Sequence, residues 1–152
     1  MQYVEVRSDP DGYWYDASRY VEALLGIAEQ LPSGARTWAS DPQHYDLSSP
    51  RCVKDLSLVG LDVQPEFVLR LGPNEWKHQQ GLEVRYIGVV SFDFEIRQPV
   101  NSPPPSVQLD EVLPHELGCQ HDVAFHGGRL SVVAKDLTAI WLDASNDRPY
   151  RA

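Results

Sequence analysis

The chain has 152 residues, with 22 Asp and Glu against 13 Lys and Arg, a formal charge of −9. Hydrophobic residues at 42% and charged ones at 23% support a packed core, at a length suited to a single domain over 1–152. The acidic balance argues against non-specific binding to nucleic acid or an anionic membrane, and leaves a basic protein as the complementary partner.

The N-terminal residues lack a basic region followed by an apolar one, so no secretory leader is expected. No apolar run approaches the roughly 18 residues of a membrane span. Cys52 and Cys119 then read as two free thiols of a reducing cytoplasm, with a disulfide as the alternative. The 12 prolines and 10 glycines imply many turns, which suits a β-rich chain.

Residues 2–6 alternate weakly as a short strand, and Asp9 to Gly12 form a turn. Tyr13, Trp14 and Tyr15 lead to Asp16, a suitable N-cap. Ala17, Tyr20, Val21, Leu24, Leu25, Ala28 and Leu31 then recur at helical spacing until Pro32, Ser33 and Gly34. This is the one clear helix. Residues 35–55 read mostly as loop with one short helical or extended piece, because Pro42 and Pro50 break any period.

Leu56 and Leu58 share one parity and Leu61 and Val63 the other, which predicts a β-bulge at Val59–Gly60. Phe67, Leu69 and Leu71 make the partner strand, and Gly72 to Glu75 the next turn. From Leu82 to Ile96 every even position is apolar or Gly, a period of two that no helix explains. Gly88 is the expected bend, and Ile87 and Val89 interrupt the polar face beside it.

Asn101 to Pro105 form a stiff connector before a strand at Val107–Leu113. Cys119–Phe125 and Arg129–Ala134 flank Gly127–Gly128, a hairpin signal. With those glycines as the turn residues, His126 would face Arg129, Phe125 Leu130, Val123 Val132 and His121 Ala134. Leu137–Leu142 is a final strand or extended edge, and Asn146–Ala152 a frayed polar tail. The expected fold is α+β: one N-terminal helix packed on a strongly curved, mainly antiparallel sheet, a meander closed towards a half-barrel or sandwich.

Three groupings carry possible chemistry. His115, Cys119 and His121, with His126 beyond, bring metal-ligand types together. The His spacing is six, not the four of helical zinc sites, and a strand would put Cys119 and His121 on one face. A hydrogen-bonded core histidine is the simpler reading of His121, and no metal or other cofactor is expected. Asp93 and Glu95 lie roughly 7 Å apart on one strand face, beside Glu83, Arg85 and Arg97. Asp110, Glu111, Glu116 and Asp122 fall in 106–126, which has no Lys or Arg. Their bland reading is a solvated polar face. Tyr13–Tyr15 with Trp38, His44 and Tyr45 read as the cap of a small core rather than a recognition patch. Neither cysteine has a basic neighbourhood that would make it a nucleophile.

The stretch Leu109–Trp141, with Leu-Asp-Glu-Val-Leu-Pro, Gly-Cys-Gln-His-Asp-Val-Ala-Phe and Gly-Gly, resembles the C-terminal hairpin of small β-rich bacterial proteins, some similar to immunity proteins of secreted toxins. The resemblance covers under a quarter of the chain and carries no functional residue. It implies a non-enzymatic cytoplasmic inhibitor of a toxin domain. The charge pattern, not the resemblance, makes the expected partner basic and places the docking surface at Glu83, Asp93, Glu95, Asp110, Glu111 and Glu116. Residues 1–50 add 8 acidic against 3 basic side chains. Two alternatives stand beside it: a cupin-like metal-binding barrel using His115, Cys119 and His121, and a ligand module with a pocket lined by Tyr86, Phe92 and Phe94.

Overall fold

A computed structural model describes residues 1–143. The expected tail at Asn146–Ala152 lies outside the described residues. Strand dominates at 51% against 14% helix. The elements are β1 (Glu5–Asp9), β2 (Gly12–Asp16), α1 (Ser18–Ile27) with a 3-10 turn at Ala28–Gln30, α2 (Ser33–Ala39), β3 (Ser57–Asp62), β4 (Phe67–Gly72), β5 (Gln80–Ile96), β6 (Val107–His115), β7 (Gly118–Phe125) and β8 (Gly128–Asp143). β1 and β2 form a separate hairpin. The other six strands make one antiparallel sheet in the order β3-β4-β5-β8-β7-β6.

That order corrects the simple meander. Two three-stranded meanders are joined where β8 returns to pair with β5, over a register from Gln80↔Asp143 to Ile96↔Gly128. The strong curvature expected of a half-barrel or sandwich is not borne out, since no sheet closes or curls on itself. The two edges touch only beside the start of β3. There Leu58 N–H donates to Pro105 O, Val107 N–H to Leu56 O and Asp55 N–H to Val107 O, at 2.8–2.9 Å.

The helical layer covers the sheet through Tyr20, Leu24, Leu31, Ala35, Trp38 and Ala39, all buried in the same core as Leu69, Leu82, Val112, Val132 and Leu137. Burying each large aliphatic side chain contributes about 1.5–3 kcal/mol. α1 forms where expected but ends at Ile27 rather than running to Leu31. Only part of the apolar stripe meets the sheet: Tyr20 and Leu24 are buried, whereas Val21 and Leu25 face outward. Asp16 accepts the Ser18 N–H at 2.8 Å, one residue ahead of the Ala17 cap position.

α2 begins at once after Pro32, where sequence reading placed a stop and a loop. Its first turn is held from far along the chain. Asp136 on β8 accepts the N–H groups of Gly34 and Ala35 at 3.1 and 2.9 Å. Gly34 lies so close to β8 that a Cβ there would come within 2.0 Å of Leu137 O. Without a side chain at 34, the helix can rest directly on the strand backbone.

The bulge predicted near Val59–Gly60 is present, as a register shift between Leu58 and Gly60. Gly88 has a φ of +62, and the β5–β8 register shifts between Val89 and Ser91. Strand β5 therefore has two unlike halves. Leu82, Val84 and Tyr86 are buried, whereas Val90 and Phe92 are about half exposed. The β7–β8 turn is a correction. Its central residues are His126 and Gly127, so Phe125 faces Gly128, Val123 Leu130 and His121 Val132. Only Gly127 adopts a positive φ there, and a Cβ on Gly128 would approach Glu95 O to 2.2 Å. The slip moves each partner by two positions, so every side chain keeps its face.

Candidate functional site

The core holds a polar chain built from three parts of the sheet and the α2–β3 connection. Asp110, on β6, has no exposed surface. Its two carboxylate oxygens meet His44 Nε2 at 2.6 Å and His121 Nε2 at 2.7 Å. His44 Nδ1 lies 2.8 Å from Trp38 O, and His121 Nδ1 lies 2.7 Å from the Tyr86 hydroxyl.

Donor counting fixes the roles. The Trp38 carbonyl can only accept, so His44 Nδ1 carries a proton. Next to an ionised Asp110, His44 donates from both nitrogens. His121 donates from Nε2 to Asp110, and its Nδ1 shares a hydrogen bond with the Tyr86 hydroxyl, which can serve as donor or acceptor. Every member is satisfied, which makes burial of the carboxylate tolerable. Burial by itself pushes the Asp110 carboxyl up. The charge of the His44 ring and hydrogen bonds from both imidazoles outweigh it, holding Asp110 well below the ordinary carboxylate range. Tyr86 and Tyr45 are pushed far above the usual phenol value, first by burial and then by the Asp110 charge.

This chain of groups has the parts of an acid–base relay but no opening to a reactant, since His44, Asp110 and His121 are all buried. It clamps the α2–β3 connection to the sheet. Tyr45 adds a bond from its hydroxyl to Asp110 O at 3.0 Å, and its ring stacks on His44 with centroids 4.0 Å apart. The core reading of Trp38, His44 and Tyr45 therefore describes their packing, whereas Tyr13 and Trp14 lie at the surface.

Glu111 is equally buried and does separate work. It accepts the N–H groups of Gln2, Tyr3 and Val4 at 2.7, 2.6 and 2.8 Å. These charge-assisted bonds tie the N-terminal segment to β6.

Of the six carboxylates expected at a partner surface, Asp110 and Glu111 are thus removed from it, because both are spent inside the fold. Glu83 is 9% exposed and held by Arg85 at 2.6 Å, with Arg70 at 4.0 Å. Asp93 and Glu95 are accessible but neutralised by Arg129 and Arg97. Glu116 is exposed in the β6–β7 turn. With Asp110 and Glu111 inside, Asp93, Glu95 and Glu116 are the accessible members of the six.

His115, Cys119 and His121 do not converge. His121 is committed to Asp110 and Tyr86, and His115 Nδ1 accepts the Leu117 N–H. Burial pushes the Cys119 thiol up to about 11. Among the described residues no group of three or more His, Cys, Asp or Glu is placed to hold a metal ion. Cys52 and Cys119 are buried free thiols. Tyr86 and Phe92 line an open groove of about 830 Å³ with Val63, Pro65, Phe67 and Ile87, and Phe94 is not among its walls. No helix among the described residues is long and apolar enough to cross a membrane.

A different surface combines apolar exposure with unpaired charge. The outer side of α1 presents Val21 and Leu25, and Leu25 is 90% exposed. Two depressions of about 560 and 430 Å³ run along it and share Val21, Leu25 and Tyr45. Asp16, Glu22 and Leu47 line the first, and Glu29, Asp41 and Pro42 the second. Asp46 sits in the chain between Tyr45 and Leu47.

None of these five acids forms an ion pair with Lys or Arg among the described residues, although Arg19 lies close enough to favour ionised Asp16 and Lys77 ionised Asp46. The nearby arginines are occupied: Arg19 by Glu5, and Arg36 by the carbonyls of Ala28, Glu29 and Leu31. Sequence reading counted the acid excess of residues 1–50 but placed the partner surface elsewhere. The signal that could have found this face is Leu25, an apolar residue with Glu22 three positions before and Glu29 four after.

No family model matches this chain, and no curated protein sequence matches it.

Proposed function

We propose that the chain is an interaction protein, an immunity-type inhibitor that binds a basic toxin domain in the cytoplasm. The observation that supports this reading most is the α1 face, where an exposed apolar strip is lined by four carboxylates, Asp16, Glu22, Glu29 and Asp41, none of them in an ion pair with Lys or Arg among the described residues. Apolar contact supplies affinity, and unpaired like charge at the rim accelerates encounter with a basic surface and rejects acidic ones. The resemblance of Leu109–Trp141 to immunity proteins points the same way. The buried thiols Cys52 and Cys119 suit a reducing compartment.

The test is co-expression with the product of the adjacent reading frame, followed by titration calorimetry of the purified pair at low and high salt. The reading expects a one-to-one complex whose affinity falls markedly as salt rises, because rim charges act over about 8–10 Å. A neighbouring product that is not basic and does not bind would remove the toxin assignment. Binding insensitive to salt would remove its electrostatic basis.

A further inference from the structure

We infer that the α1 face receives a basic amphipathic helix of about three turns from the partner. The inference rests on the interaction reading above and names the element that reading leaves open.

Three observations select a helix with flanking cations. The first is the shape of the surface. The two depressions share Val21, Leu25 and Tyr45 and together reach from Tyr15–Ala17 to Ala28–Glu29. At about 1.5 Å per residue this track is roughly 18 Å long, the length of a 12-residue helix. Val21 and Leu25 stand four apart on one helical row, a ridge against which a second helix can set its own groove.

The second is the backbone. A strand would need free N–H and C=O groups to pair with. Here the wall opposite α1 is a run of internal turns. Ser40 N–H donates to Arg36 O, His44 N–H to Asp41 O, Asp46 N–H to Gln43 O and Ser49 N–H to Asp46 O. Recognition therefore falls to side chains, as it does for an amphipathic helix laid in a groove.

The third is charge. Asp16 and Glu22 line one part of the track, and Glu29 and Asp41 the other. A partner helix with an apolar stripe at i, i+3/i+4 and i+7, flanked by Lys or Arg, satisfies both features at once. An acidic or purely polar helix satisfies neither.

The probe is a designed 14-residue Lys/Leu peptide with its leucines at helical spacing. It is compared with a scrambled peptide of identical composition and with the Glu/Leu counterpart. Affinity is read by fluorescence anisotropy on the full chain. The inference expects the amphipathic Lys/Leu peptide to bind at least about tenfold more tightly than the scrambled one, and the Glu/Leu peptide not to bind. Leu25→Asp should abolish binding without changing the circular dichroism spectrum, because Leu25 is almost fully exposed. Ile140→Asp, at an exposed site on β8, should change nothing.

Equal binding of the patterned and scrambled peptides would overturn the helical occupant and leave the electrostatic interaction reading standing. Binding that survives Leu25→Asp would overturn the α1 face as the site. Failure of every basic peptide to bind at low salt would overturn the inference. The interaction reading would then rest on the co-expression test alone.

Discussion

Asp110 and Glu22 are both carboxylates of an acidic chain, and the protein uses them in opposite ways. Asp110 is enclosed between two imidazoles, with each oxygen taking a hydrogen bond. Glu22 lines the groove on the outer side of α1 and forms no ion pair among the described residues. A buried carboxylate that lost its partners would be severely destabilising, so the fold satisfies it completely. An exposed carboxylate needs no partner, because water solvates it, and it keeps its field for another molecule. Net charge therefore says little about function until it is divided into charge consumed inside and charge left outside.

The sharpest way to break the comparison is to remove the internal acid. Asp110→Ala leaves His44 and His121 facing a void, and should cost about 3–5 kcal/mol in denaturant unfolding. A loss under 1 kcal/mol would show that the cluster is not structurally coupled.

Acid titration is the next largest effect. The folded carboxyl of Asp110 is depressed, so its contribution is complete above the unfolded value near 3.9 and is lost as pH falls below it. His78 is also lowered, chiefly by burial. The unfolded chain takes up that proton first, so stability begins to fall as pH drops below about 6.5. His126 is lowered by burial too and adds to the same stage. Urea midpoints across pH 3–8 should therefore decline in these two stages, and a flat profile down to pH 4 would contradict the histidine part.

Glu111→Gln should cost about 1–3 kcal/mol, because a neutral amide can accept from fewer of the three N–H groups. Hydrogen exchange at Gln2, Tyr3 and Val4 should rise selectively, and unchanged protection would mean those bonds are not formed in solution. The smallest effect belongs to the paired surface acids. Asp93→Lys with Glu95→Lys should move stability by no more than about 1 kcal/mol. It should also leave partner affinity intact if docking occurs on α1, whereas a large loss of affinity would return the interface to β5.

Much of the local structure was legible. Strand β7 alternates between buried and half-buried positions along its whole length, and its sequence alternates in the same way. The bulge in β3 shows as a parity change at Val59–Gly60. α2 was legible only as one short helical or extended piece somewhere in 35–55, because the carboxylate that holds its first turn is Asp136, about a hundred residues away. The turn register was misread because two glycines compete for one tight turn. The neighbouring Glu95 backbone, not local preference, assigns Gly128 to the strand. Asp93 and Glu95 looked like a binding face because the sequence does not show that Arg129 and Arg97 lie beside them.

What the sequence determined by itself is periodicity: which segments are strands, where α1 lies, which side chains share a strand face, and that acid is in excess. These follow from backbone geometry repeating every 2 or 3.6 residues, which any local reading can detect. Tertiary structure alone decided which carboxylates reach solvent. It brings β6, β7 and the 38–45 segment together around Asp110, and it turns Val21 and Leu25 outward instead of onto the sheet. Desolvation and pairing depend on residues distant in the chain, and no local pattern records them.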